Sequence, residues 1–312
     1  MTGTGGSGSG GGAGGGSTVA DASSAVSDLG SSDGGTDTTT PSAPRTGRSA
    51  GCGKPMMGSS TSWLRHDVTV TVAAEYVDRF TRRAYFTRPP AGYDPQKAYP
   101  VTFWGHGCGA SGAETTPLMG GPAAQNSIHV FLLAIGGCFS TSKANSPDIP
   151  YFDLALSEIE NDFCVDKSKI FVSGYSSGAW LSNLLACQRG DVIRGIGTAA
   201  GGLPIDRGTC RGPVAAIMTG DTGDTANPIV NIDRATNIDK GSGAARDRLI
   251  MENGCSKETQ PWDPMFPGCV AYQGCKPGYP VVWCQTSGQG HSNGVQGGLS
   301  PRGFWKFWSS LP

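Results

Sequence analysis

Residues 169–188 read "KIFVSGYSSGAWLSNLLACQ": an apolar run, a glycine-flanked serine pair and then an amphipathic stretch. This order predicts a buried strand entering a sharp turn at Ser176 and leaving as a helix from about Ser177. A βα step of this kind belongs to an α/β architecture, because a parallel strand must be covered by the helix that follows it. The other segments agree. "VTVTV" (68–72) and "RAYFTRP" (83–89) read as an antiparallel opening pair. "YPVTFWGHG" (99–107), "HVFLLAIGG" (129–137), "IRGIGTAAG" (193–201), "PVAAIMTG" (213–220) and "YPVVWCQ" (279–285) read as buried strands. "FDLALSEIENDF" (152–163), "AARDRLIMENG" (244–254) and "PRGFWKFWSSL" (301–311) have helical spacing. The expected fold is a mostly parallel sheet covered by helices on both faces.

Residues 1–50 are built almost wholly from Gly, Ser, Thr, Ala and Asp, and are expected to be a disordered linker. Residues 51–312 then form one α/β domain of ordinary size. All ten cysteines lie in that domain, an even number without paired C-x-x-C or neighbouring His ligands. They point to disulfides and an oxidising compartment, and away from a metal centre. Proximity along the chain suggests pairing Cys269 with Cys275 and Cys255 with Cys284. No apolar signal segment opens the chain, so a secretory leader is expected to be already missing from it. With 24 basic and 25 acidic side chains, nothing marks a nucleic-acid or membrane-surface partner. No apolar run approaches the roughly 20 residues of a membrane span.

Two segments fit the G-x-S-x-G pattern of serine hydrolases: "GYSSG" at 174–178 and "GHSNG" at 290–294. Only the first lies between a strand and a helix, so Ser176 is the candidate nucleophile. "VQGGLSP" after the second is not helical, and Ser292 is expected to be a loop serine. The chain holds four histidines, His66, His106, His129 and His291. His291 alone follows the last strand, and the order Ser, acid, His of this fold requires the base there. The acid should follow the strand at 213–220, where Asp221 and Asp224 both qualify. Asp224 sits at the spacing of an H-G-x-x-D arrangement and is favoured; the other is then a turn or cap residue. An oxyanion would be held by the N–H of Ser177 together with one from "WGHGCGASG" at 104–112, Cys108 before Gly107. His106 is expected to support that loop.

These segments, with "SAGCGKP" at 49–55, "FWGHGCG" at 103–109 and "GDTGDTANP" at 220–228, resemble the secreted polyhydroxybutyrate depolymerase and feruloyl esterase family, carbohydrate esterase family one. The resemblance covers about residues 50–312. It implies a disulfide-stabilised α/β-hydrolase fold, extracellular ester hydrolysis without cofactor, and a triad of Ser176, Asp224 and His291. The implied substrates are feruloyl or acetyl esters of plant xylan, or alternatively a polyester. Gly220 and Asp221 depart from the His-Gly that relatives often carry before the acid. Trp262, Tyr272, Tyr279 and Trp283 precede His291 and could stack on an aromatic acyl group, although aromatics near a sheet end are more often core. The competing class is a catalytically inactive hydrolase-like binding protein. Oligomeric state is not legible.

Overall fold

The computed structural model describes residues 45–110, 122–292 and 299–312. The reading of residues 1–44 as a linker lies outside them. Among the described residues, contacts to the domain are already present at Arg45, six positions before the compositional boundary. Arg45 pairs with Glu160 at 2.7 Å, Ser49 Oγ donates to Phe163 O at 2.6 Å, and Cys52 is bonded to Cys164.

Ten strands form one sheet: β1 (Leu64–Thr69), β2 (Arg82–Arg88), β3 (Tyr99–Gly105), β4 (Ile128–Leu132), β5 (Val165–Tyr175), β6 (Gly195–Ala199), β7 (Ala215–Asp221), β8 (Thr259–Pro261), β9 (Cys269–Tyr272) and β10 (Val281–Thr286). Their order is β1-β2-β4-β3-β5-β6-β7-β10-β9-β8. The six central strands from β4 to β10 run parallel, and an antiparallel pair extends the sheet at each end. The helices are α1 (Val77–Phe80), α2 (Pro122–Asn126), α3 (Asp148–Asp162), α4 (Ser177–Gln188), α5 (Ser242–Glu252) and α6 (Phe304–Ser309). α3, α4, α5 and the central strands match the elements expected from the sequence. The short strands β8 and β9 were not anticipated.

Alternation along the strands divides the interior into two cores, because successive strand side chains point to opposite faces. Phe103, Val130, Leu132, Val172 and Met218 pack on one face with Phe152 and Ile159 of α3, Leu184 of α4 and Leu249 of α5. Trp104, Phe131, Phe171 and Ile217 pack on the other with Phe304, Phe307 and Trp308 of α6. A helix therefore covers each face, as a parallel sheet requires. The tail "PRGFWKFWSSL" reaches its place through a π turn, Leu299–Gly303, directly before α6. So the part of "VQGGLSP" that is described is helical after all, while residues 295–298 lie outside the description.

The ten cysteines form five disulfides: Cys52–Cys164, Cys108–Cys138, Cys187–Cys210, Cys255–Cys275 and Cys269–Cys284. The last two correct the pairing drawn from chain proximity. Cys269 and Cys284 are direct partners in the antiparallel register of β9 and β10. Beyond α5, Ser256 N donates to Gln273 O, which lays Cys255 beside Cys275. Register across the sheet, rather than distance along the chain, decides which sulfurs meet.

Candidate active site

Each parallel strand ends at the same edge of the sheet, where open α/β sheets place their ligands. β5 delivers Ser176 to that edge in a conformation that few L-residues adopt, φ 52° and ψ −117°. The strain is held from both sides: Ser176 N donates to Ala199 O at 3.0 Å, and Ser176 O accepts from Trp180 N at 3.0 Å as α4 begins. The glycines of the motif are fixed by close backbone crossings. A Cβ on Gly174 would lie 2.3 Å from Gly178 C, and one on Gly178 would lie 1.9 Å from Gly105 O. Neither obstacle can swing away, so only glycine fits.

β3 ends in the loop that carries His106, Gly107 and Cys108. His106 O accepts from Gly178 N at 3.0 Å and from Ser177 Oγ at 3.1 Å, which ties this loop to the start of α4. The His106 ring accepts at Nε2 from Ala134 N (3.0 Å), so its proton sits on Nδ1 and is donated to Gly107 O at 2.6 Å. Burial pushes the His106 pKa below the ordinary value, against the bond to Gly107 and the charge of Asp148. A neutral ring suits both bonds. The Cys108–Cys138 disulfide and the Gly109 N–H donation to Gly137 O (2.9 Å) fasten the far side of the loop. Ser177, as the first residue of α4, has an N–H without a partner inside the helix. Ser177 follows Ser176 directly, and the loop residue brought to Ser176 is Gly107, where a Cβ would lie 3.4 Å from Ser176 Cβ; Cys108 is the next residue of that loop.

The acid and the base come from β7 and β10. Asp224, buried, accepts from Ala226 N at 2.9 Å and Asn227 N at 2.8 Å through one oxygen, and from His291 Nδ1 at 2.9 Å through the other. With Nδ1 donating, His291 Nε2 is left to accept, and Ser176 Oγ lies 3.0 Å from it. The three side chains stand 48 and 67 residues apart in sequence, yet form one hydrogen-bonded line. Such a line can carry a proton from a hydroxyl to an imidazole whose charge a buried carboxylate then offsets.

Two neighbours were not anticipated. The Tyr175 ring packs 5.1 Å from the His291 ring and against Gly107, where a Cβ would meet it at 2.7 Å. Burial and Asp224 raise its pKa. Its position directly before the nucleophile was the only signal available. Asn227 donates through Nδ2 to Ala200 O and accepts through Oδ1 from Trp180 Nε1, tying the acid turn to α4; nothing in its sequence context marks it.

The aromatic residues considered for an acyl pocket lie elsewhere. Trp283 is buried beneath Gly220 in the sheet, and Trp262 stacks on Phe266 beside α6. Tyr279 precedes β10, at the end opposite His291, where Arg194 lies over its ring. Tyr272 belongs to β9 and lines a surface cleft with Arg246 and Met251. Among the described residues no cluster of His, Cys, Asp or Glu could hold a metal, and no helix is long and apolar enough to cross a membrane.

No family model matches the chain. Feruloyl esterase D of Neurospora crassa is 27% identical over 280 residues, covering 84% of this chain and 90% of that protein. Feruloyl esterase C of Emericella nidulans is 26% identical over 270 residues, covering 81% and 93%. Among solved structures, a thermostable esterase superposes with a TM-score of 0.54 at 12% identity, over 80% of this chain and 63% of that one. An acetyl xylan esterase from Aspergillus awamori superposes with a TM-score of 0.51 at 13% identity, over 77% and 99%. The structural matches carry the fold, and the sequence matches carry the relationship.

Proposed function

We propose that this chain, a carboxylic ester hydrolase of the α/β-hydrolase fold related to the feruloyl esterases, works through an acyl-enzyme on Ser176. The observation that carries the proposal is the line from Ser176 Oγ through His291 to Asp224, with bonds of 3.0 and 2.9 Å. Ser176 Oγ attacks the ester carbonyl as its proton passes to His291 Nε2. Asp224 keeps the imidazole in the accepting tautomer and offsets its charge without taking the proton. The N–H groups of Ser177 and Cys108 receive the oxyanion, each supplying about 3 kcal/mol of barrier lowering. His291 then returns the proton to the leaving alcohol and activates the water that frees the acid.

The substrate we propose is a feruloyl or acetyl ester of plant xylan; the names of the sequence relatives support its feruloyl part. Five disulfides support a secreted enzyme, because such bonds persist in oxidising surroundings. The glycine-rich segment before Arg45 serves in this reading as a tether to the catalytic domain.

The test follows release of ferulic acid from methyl ferulate, beside p-nitrophenyl acetate and a polyhydroxybutyrate film, with Ser176→Ala as control. Ferulate release that is lost in the variant is the expected result. Film clearing without ferulate release would make the enzyme a polyester depolymerase. Equal turnover by wild type and variant would overturn the mechanism.

A further inference from the structure

Asp221 makes no hydrogen bond to Ser176 or His291, yet it is completely buried at the edge where the site assembles. Its carboxylate accepts four hydrogen bonds. Oδ1 takes Gly223 N at 2.8 Å and Gly290 N at 3.1 Å, and Oδ2 takes Thr286 Oγ1 at 2.6 Å and Gln289 N at 3.1 Å. Three of these donors belong to the segment that leads from β10 to His291. The segment is also bonded to Thr222, whose N–H donates to Thr286 O and whose Oγ1 donates to Ser287 Oγ, both at 3.1 Å. Residues 287–289 are exposed, and Gly288 and Gly290 both have positive φ, 76° and 59°. Glycines in that conformation turn successive N–H groups toward one point, a cradle suited to an anion. Here the anion is a side chain from β7.

Asp221 also begins the turn that presents the acid, since its carbonyl accepts from Asp224 N at 3.1 Å. One residue thus sets the positions of both partners of the Asp224–His291 bond. We infer that Asp221 is the positioning residue of the base: its carboxylate clamps the loop that carries His291, so that Nε2 stays within reach of Ser176 Oγ. Burial alone would raise its pKa, but the bonds from Thr286, Gly223, Gln289 and Gly290 outweigh that and hold it below the usual carboxylate range. The clamp is therefore ionised wherever the enzyme works.

The inference rests on reading His291 as the base, and the experiment separates the two. Turnover of p-nitrophenyl acetate is measured at 25 °C for Asp221→Asn, Thr286→Val, Thr286→Ser, His291→Ala and Ser176→Ala, each kept well below its own melting temperature. Asparagine keeps the shape but presents an N–H₂ where a second pair of donors needs an acceptor. The expected result is a kcat lowered about 10- to 100-fold in Asp221→Asn with KM within about twofold, since small misplacements of a catalytic group cost that much. Thr286→Val, which removes one donor to the clamp, should lose about 3- to 10-fold in kcat, and Thr286→Ser should restore it, the net effect of about one hydrogen bond. In proton NMR the low-field signal of the His291 Nδ1–H should sharpen in wild type and broaden in Asp221→Asn. If His291→Ala and Ser176→Ala are inactive while Asp221→Asn keeps wild-type kcat and the imidazole signal, the clamp is refuted alone. If His291→Ala stays active, the base assignment falls and the clamp falls with it. Should Asp221→Asn fail to fold, the Thr286 pair decides: equal kcat in Thr286→Val and Thr286→Ser refutes the clamp.

Discussion

Two stretches of this chain fit G-x-S-x-G, and the fold treats them in opposite ways. At residues 174–178 the pattern sits at the end of the sheet's central strand, and each outer glycine lies against another backbone segment within 2.4 Å of a missing Cβ. At residue 290 the glycine has open surroundings, the nearest atom to a Cβ there being Gly223 O at 3.9 Å. The first serine is strained and held by backbone bonds; the second lies in a short 3₁₀ turn next to the histidine that completes the site. The lesson concerns how the two halves of the site are fixed. The Ser176 side is fixed by close backbone packing together with backbone hydrogen bonds, and the His291 side by hydrogen bonds to the buried side-chain carboxylates of Asp221 and Asp224.

The largest effect tests which serine reacts. Ser176→Ala should lower kcat on p-nitrophenyl acetate about 10⁶-fold, the scale seen when a serine nucleophile is removed. Ser292→Ala should stay within about twofold of wild type. Activity surviving in the first and lost in the second would reverse the comparison. Asp224→Asn follows at about 10⁴-fold in kcat, because an amide there favours the wrong imidazole tautomer. A loss no larger than that of Asp221→Asn would mean that the two carboxylates share the orienting role.

The packed and the hydrogen-bonded halves should also differ in tolerance to a single methyl group. Gly178→Ala drives a Cβ into Gly105 O and C at 1.9 and 2.2 Å, both backbone atoms, and should cost more than about 4 kcal/mol or prevent folding. Gly290→Ala meets only the cost of a left-handed φ, about 1 to 2 kcal/mol. Urea midpoints measure both. Similar losses would remove the distinction between packing and hydrogen bonding.

The same contrast explains what the sequence could tell in advance. The elbow was legible because a strand, a turn and a helix must each leave a composition signal in consecutive residues, and 169–188 carries all three. Chain order singled out His291, whose ring lies between Asp224 and Ser176. The choice between Asp221 and Asp224 rested on spacing alone, since both are buried and both accept backbone N–H groups. Only the position of the His291 loop shows that the ring meets Asp224 and the backbone before it meets Asp221. The disulfides of β9 and β10 were out of reach because they depend on strand register, and a three-residue exposed strand such as β8, ending in Pro261, looks like loop. The aromatics before His291 were expected to be core more often than acyl-stacking, and Trp283 is core. Alternation sends Trp283 to the α5 side of the sheet, while Tyr279 lies before β10 begins.

A further expected effect concerns pH and the buried histidines. Near the start of β4, beside β3, lies His129, wholly buried, with Nδ1 bonded to Thr102 Oγ1 at 2.7 Å. Burial, reinforced by Arg88, lowers its pKa to about 4. A histidine whose folded pKa lies below its unfolded value of 6.5 takes up protons more readily when the chain unfolds. Its contribution to stability is therefore lost progressively as pH falls from 6.5 toward 4, by roughly 3 kcal/mol in all. His106, also lowered by burial, adds a loss of the same sign. On the base side, Asp221 has a folded pKa below its unfolded value of 3.8, so its contribution is complete above that value and fades only as pH drops below it. Acid should thus lower stability through the buried histidines before it reaches Asp221. Urea midpoints at pH 7, 5.5 and 4 should decline steadily for wild type, and His129→Gln should flatten that slope while starting from a lower midpoint. An unchanged slope in the variant would place the acid sensitivity elsewhere.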